Sequence, residues 1–168
     1  KDVVEEKASS IDKTITPKEV FDRLDLRKTP TFTIDPEDAK DFDDAISVKQ
    51  LQNKNWEVGV HIADVGHYIK VGDPIDREAL NRGTSVYLVD RVVPMLPEIL
   101  SNDLCSLKPN EDKLCFSVIF EFTNRAELIN YKISKTIIHS DKRFTYDQAQ
   151  KNIDSKSGLF YKELVQIK

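Results

Sequence analysis

Between residues 35 and 44 the chain crowds six carboxylates, Asp35, Glu37, Asp38, Asp41, Asp43 and Asp44, around a single cation, Lys40. Like charges this close repel and raise some of one another's pKa values. Such a run survives either spread in water or neutralised by a cation. The flanks favour the cation. Phe32 and Ile34 precede the run, and Ala45, Ile46 and Val48 follow it. Both flanks read as short, partly buried β-strands. The acidic run is therefore a loop held between two strands, with a solvated charged loop as the plainer alternative.

Spacing narrows the chemistry. Side chains alternate faces along an extended segment, so Asp41 and Asp43 share a face and Asp44 points away. Asp44 joins them only if the chain turns, and Asp35 then comes back across from the end of the first strand. Carboxylates with no nearby His or Cys suit a hard cation such as Mg²⁺ or Mn²⁺. A calcium loop of the EF-hand type fits poorly, because position 6 counted from Asp35 is Lys40, where that loop needs Gly. One or two such metals ringed by carboxylates form the usual apparatus for hydrolysing a phosphate ester.

At 168 residues the chain is one domain's worth and can bury a core. No run of 18 apolar residues occurs to span a membrane, and the Lys1–Lys7 stretch lacks the apolar core of a signal peptide. Cys105 and Cys115 give neither a disulfide framework nor a metal pattern. They read as buried thiols of a reducing, cytoplasmic protein. The net charge of −4 argues against a general nucleic-acid coat, although a nuclease site must itself collect carboxylates.

In chain order, residues 1 to 16 read as a linker. Thr16-Pro17-Lys18-Glu19 is a capping box that starts a short helix. Strands are expected over 45–51 and 56–62, with a turn at 52–55. In the second of these strands Trp56, Val58, Val60 and Ile62 share a face, and His61 lies opposite with a structural role. Asp73-Pro74 caps a helix that Gly83 ends. A short helix is expected from Glu98 to Leu104. Residues 113–122 and 127–139 form a β-hairpin, and the pattern turns helical from Thr145. These elements make an α+β chain: a mixed, mostly antiparallel β-sheet with flanking helices.

The motifs, taken together, resemble the catalytic domain of the ribonuclease II / ribonuclease R family. The likeness runs through Thr33-Ile-Asp-Pro-Glu-Asp-Ala-Lys-Asp-Phe-Asp-Asp-Ala45, Val60-His-Ile-Ala-Asp-Val65, Arg82-Gly-Thr-Ser-Val-Tyr-Leu88, Val93-Pro-Met-Leu-Pro97, Leu100-Ser-Asn-Asp-Leu-Cys-Ser-Leu107 and Ser140-Asp-Lys-Arg-Phe-Thr-Tyr146. It covers about residues 26 to 150 and looks closest to the ribonuclease R branch. Residues 1–25 are then a linker and short helix, and 26–168 the N-terminal part of an RNB exoribonuclease catalytic domain.

The resemblance implies a processive, hydrolytic 3′→5′ exoribonuclease that takes the 3′ end of single-stranded RNA and releases nucleoside 5′-monophosphates with Mg²⁺. By motif position, Asp35 and Asp44 are direct metal ligands, Asp41 supports the metal through water, and Asp43 is the carboxylate most essential to the chemical step. Tyr87 matches the aromatic that stacks on the terminal base; by the residues alone it reads as a core tyrosine on a strand. Family members continue for several hundred residues past the position of Lys168. The expectation is thus a truncated domain, missing a catalytic arginine and glutamate and further RNA-binding domains, and a poor nuclease by itself. Two other classes stand beside this one. Asp41-Phe-Asp43 also resembles the Asp-x-Asp of aspartyl-phosphate phosphatases, although Ala45 stands where those carry Thr or Val. A non-enzymatic metal- or RNA-binding module is the other.

Overall fold

The structure, a computed structural model, describes residues 2–168. Helix α1 (Asp2–Ser9) is followed by α2 (Pro17–Phe21) and the strands β1 (Leu24–Asp25), β2 (Thr31–Asp35), β3 (Asp44–Gln50) and β4 (Trp56–Ala63). Next come α3 (Val65–Tyr68), α4 (Pro74–Arg82), a small hairpin of β5 (Val86–Tyr87) and β6 (Val92–Val93), and a π-helical turn at Leu100–Leu104. The chain then runs through β7 (Glu111–Phe122), β8 (Leu128–Ser140), β9 (Lys142–Thr145), α5 (Tyr146–Ser155) and α6 (Tyr161–Ile167).

One sheet in the order β1-β8-β7-β4-β3-β2-β9 frames the molecule. Its pairings are antiparallel except β1 with β8 and β2 with β9. The mixed, mostly antiparallel α+β architecture is therefore as the sequence indicates. Local chemistry sets the helix ends. Thr16 and Glu19 form the reciprocal capping box of α2. Asp73 accepts from the Asp76 N–H at 2.9 Å to start α4, and Gly83 at φ 71° ends it in the left-handed region that favours glycine.

Register assigns the two sheet faces. Ile46, Val60, Val118 and Ile133 are cross-strand neighbours on one face; Ala45, His61, Ser117 and Ser134 are neighbours on the other. The second face carries the larger core, where Ala45, Ala63 and Cys115 pack with Ala8, Ile75, Leu100 and Ile138. Each large aliphatic side chain fully buried there contributes roughly 1.5–3 kcal/mol. Over β2, β3 and β9 the first face is covered by a smaller core in which Phe32 of β2 and Phe144 of β9 pack with Ala149 of α5 and Leu164 of α6. Over β4, β7 and β8 it leaves Ile62, Phe116, Tyr131 and Ile133 about half exposed.

Two expectations change in detail, and the structure assigns the faces of β4. The stretch read as a linker contains α1, which seats a fully buried Ala8 in the main core with Val4 and Ile11 beside it. Its single apolar turn is too short for periodicity to show. The helix expected through Leu104 is π-helical: the Cys105 N–H reaches back five residues to the Leu100 carbonyl at 2.8 Å, and both Leu100 and Leu104 turn inward. In β4 the apolar stripe Trp56, Val58, Val60 and Ile62 lies on the more open face, while Gly59, His61 and Ala63 are buried. The buried face demands small residues. A Cβ on Gly59 would stand 2.4 Å from Ser47 Oγ and 2.6 Å from His61 Nε2.

Candidate active site

The acidic loop leaves the sheet at Asp35, the last residue of β2, and re-enters it at Asp44, the first of β3. Its shape is fixed by backbone contacts. Arg143 on β9 donates through Nη2 to the carbonyls of Pro36 and Glu37, the latter at 3.0 Å. The buried Ser106 hydroxyl accepts from the Phe42 N–H at 3.1 Å, and the Leu107 N–H donates to the Phe42 carbonyl at 2.8 Å. The Ala63 N–H donates to the Asp43 carbonyl at 3.1 Å, tying the loop's exit to β4. The Arg143 guanidinium also lies 5.5 Å from the centre of the Phe42 ring.

This loop and the β5–β6 hairpin enclose a cavity of about 740 Å³ lined by Asp35, Asp41, Asp43, Asp44 and Tyr87 among others. All five residues singled out from the sequence thus meet in one place. Asp35 is buried, and burial, ahead of the Asp44 charge, holds its carboxyl above the usual range. The Thr33 hydroxyl favours the charged form but makes no hydrogen bond of normal geometry, so burial prevails. Asp43 keeps access to solvent, yet the cavity wall crowds it. That desolvation, then Asp41, Asp44 and Asp35, pushes its carboxyl up.

Tyr87 is 67% exposed, which excludes the core-tyrosine reading. Its hydroxyl donates to Asp41 Oδ2 at 3.3 Å, and the Asp41 charge raises its pKa. His61 is fully buried between Ser47 and Ser117, at 2.9 and 2.8 Å, away from this cavity, as its structural reading requires. Arg143 and Ser106 are the residues that sequence reasoning missed. Both lie in recognised motifs, but they act on loop carbonyls and amides, which leave no side-chain pattern to read.

The donor set fits a hard divalent cation. It is all carboxylate, and Asp35 Oδ2 is buried with no hydrogen-bond partner, a cost that a bound cation removes. Among the described residues no three such groups are drawn close enough to form a finished ligand cage.

A strand-held loop of aspartates facing an exposed aromatic defines a class, and comparison with known proteins gives it a family. The chain belongs to the RNB domain family, whose model matches residues 23–164. Ribonuclease R 1 of Lactococcus lactis is 49% identical over 148 residues, which are 88% of this chain and 18% of that protein. The human exosome complex exonuclease RRP44 is 46% identical over 142 residues, 84% of this chain and 15% of its own length. The structure of Mycoplasma genitalium RNase R in complex with ribose methylated single-stranded RNA superposes with a TM-score of 0.87 at 38% identity, covering 98% of this chain and 26% of that one. The chain thus spans about a fifth of the length of the relatives it matches.

Proposed function

We propose that this chain supplies the carboxylate wall of a Mg²⁺-dependent exoribonuclease that works processively from the 3′ end of single-stranded RNA and releases nucleoside 5′-monophosphates. The observation that carries the reading is the convergence of Asp35, Asp41, Asp43 and Asp44 with an exposed Tyr87 on one cavity, in a chain of the RNB family. Relatives named ribonuclease R, and one solved with single-stranded RNA, support the substrate class. Asp35 and Asp44 would hold the metal and Asp41 would support it. Bound there, Mg²⁺ or Mn²⁺ would supply Lewis-acid chemistry for phosphodiester hydrolysis. Asp43 accepts a hydrogen bond from the attacking water and sets its direction. The Tyr87 ring stacks on a terminal base, an interaction tolerant of sequence and contributing ~1–3 kcal/mol per base. Two buried free thiols suit a reducing compartment, and we place the protein in the cytoplasm.

The test, made in the full-length enzyme, is stepwise release of mononucleotides from an end-labelled oligoribonucleotide with Mg²⁺. Asp43→Asn is expected to lower turnover by ~10²-fold or more while RNA binding survives. A variant that keeps more than about a hundredth of the rate removes Asp43 from the chemistry. On the same gel, Tyr87→Ala shifts the length of the final product, because fewer stacked bases then hold the shortened strand; an unchanged end product rejects the stacking role. Release of inorganic phosphate from a phosphomonoester, with no mononucleotides from RNA, points instead to a phosphatase.

A further inference from the structure

The cavity that collects the aspartates presents a substrate phosphodiester with a strongly negative wall. Asp38, Asp90 and Glu98 line it as well, and only two cationic side chains, Lys40 and Arg91, stand among the lining residues. Arg91 follows the turn of the β5–β6 hairpin, which its own carbonyl closes by accepting from the Leu88 N–H at 2.8 Å. It therefore rides on the element that carries Tyr87. Among the described residues its guanidinium pairs with the neighbouring Asp90, at 3.1 Å, in a pair about two-thirds exposed on each side. Such a surface pair contributes little and is readily exchanged for a better anion. A guanidinium is also matched in shape to phosphate, which it grips through two parallel hydrogen bonds. The other arginine at the loop, Arg143, is committed to the carbonyls of Pro36 and Glu37.

We propose that Arg91 is a substrate-binding residue that grips a backbone phosphate of the nucleic-acid strand whose terminal base rests on Tyr87. The assignment rests on the reading of the cavity as an RNA-hydrolysing site. Arg91 offsets the repulsion of the aspartates and fixes the strand's register, while Tyr87 holds the base without regard to sequence. Its contribution is made equally to substrate and transition state, so its loss appears in KM ahead of kcat.

The test uses a fluorescent single-stranded oligoribonucleotide with Mg²⁺ and the Asp43→Asn protein, so that binding is read without turnover, between about 50 and 200 mM salt. Adding Arg91→Ala should weaken binding about tenfold at the low end, as expected for one charged hydrogen-bonding partner. It should also reduce the slope of log affinity against log salt by about 0.7, the value for one phosphate on a single strand. Arg91→Lys should restore the slope but only part of the affinity, since it keeps the charge and loses the two-pronged geometry. The Arg91 side chain is about two-thirds exposed, so equal melting midpoints should confirm that the fold is intact. Unchanged affinity and slope in Arg91→Ala overturn this assignment while leaving the proposed function standing. Absence of binding by the Asp43→Asn protein itself overturns both.

Discussion

At the scale of single residues, one tightly held side chain lies outside the proposed chemistry. His61 is fully buried, with a serine hydroxyl on each ring nitrogen, and Ser117 passes the network to Thr136 at 2.6 Å. Burial pushes its pKa down to about 4 from an ordinary 6.5. The fold therefore favours the neutral ring, and the unfolded chain binds the proton first as pH falls. Stability is unaffected above about pH 6.5, declines as pH falls from there, and levels off below about 4. At pH 5 the loss is about 2 kcal/mol. Urea unfolding of the wild type at pH 7.5 and 5.0, compared with His61→Gln, measures it. The substitution should lower stability at pH 7.5 and flatten the pH dependence in this window. An equally steep decline in the variant would assign the titration to other groups.

At the scale of elements, the acidic loop behaves as part of the sheet although it has no regular structure. Arg143 reaches it from β9, Ser106 and Leu107 from beyond the π-helical turn, and Ala63 from the end of β4. Arg143→Ala should leave the sheet in place, because β9 keeps its register with β2 through backbone pairing. It should weaken Mn²⁺ binding measured by calorimetry and slow turnover by roughly tenfold, as expected from losing a charged hydrogen-bonding partner. Unaltered metal affinity would show that the loop holds its shape without that clamp. This level also shows what was legible beforehand. The carboxylates were readable because their chemistry is stated by residue type and by the apolar strands on either side. The helix caps at Thr16 and Asp73 were readable because capping is local. The clamps on Pro36, Glu37 and Phe42 were not, since a backbone carbonyl or amide is the same at every position. The orientation of β4 also escaped, because alternation reveals two faces but not which of them will be covered, and here the His61 and Ser47 side chains leave no room for a Cβ at Gly59.

At the scale of the whole molecule, the site stands in opposition to the fold that builds it. Asp35 is buried, one of its oxygens is unpartnered, and both burial and neighbouring aspartates disfavour its charge. A chain that keeps such a group at neutral pH is less stable than it could be, by the usual conflict between a preorganised site and a relaxed core. Asp35→Asn removes the charge and keeps the shape. The new amide can donate to the Thr33 hydroxyl, which lies near it and is itself without a partner. In EDTA at pH 7 the variant is therefore expected to melt above the wild type. Metal reverses the order. A cation that binds the folded chain alone stabilises it by about 2.7 kcal/mol at a hundred times its dissociation constant, and only a chain with its ligands intact gains this. Thermal melts of both proteins across a Mn²⁺ titration decide the matter. The wild type should rise with metal and overtake Asp35→Asn, whose midpoint stays nearly flat. If Asp35→Asn melts below the wild type in EDTA, the buried carboxylate is not a burden on the fold. If both proteins gain equally from Mn²⁺, Asp35 is not a ligand.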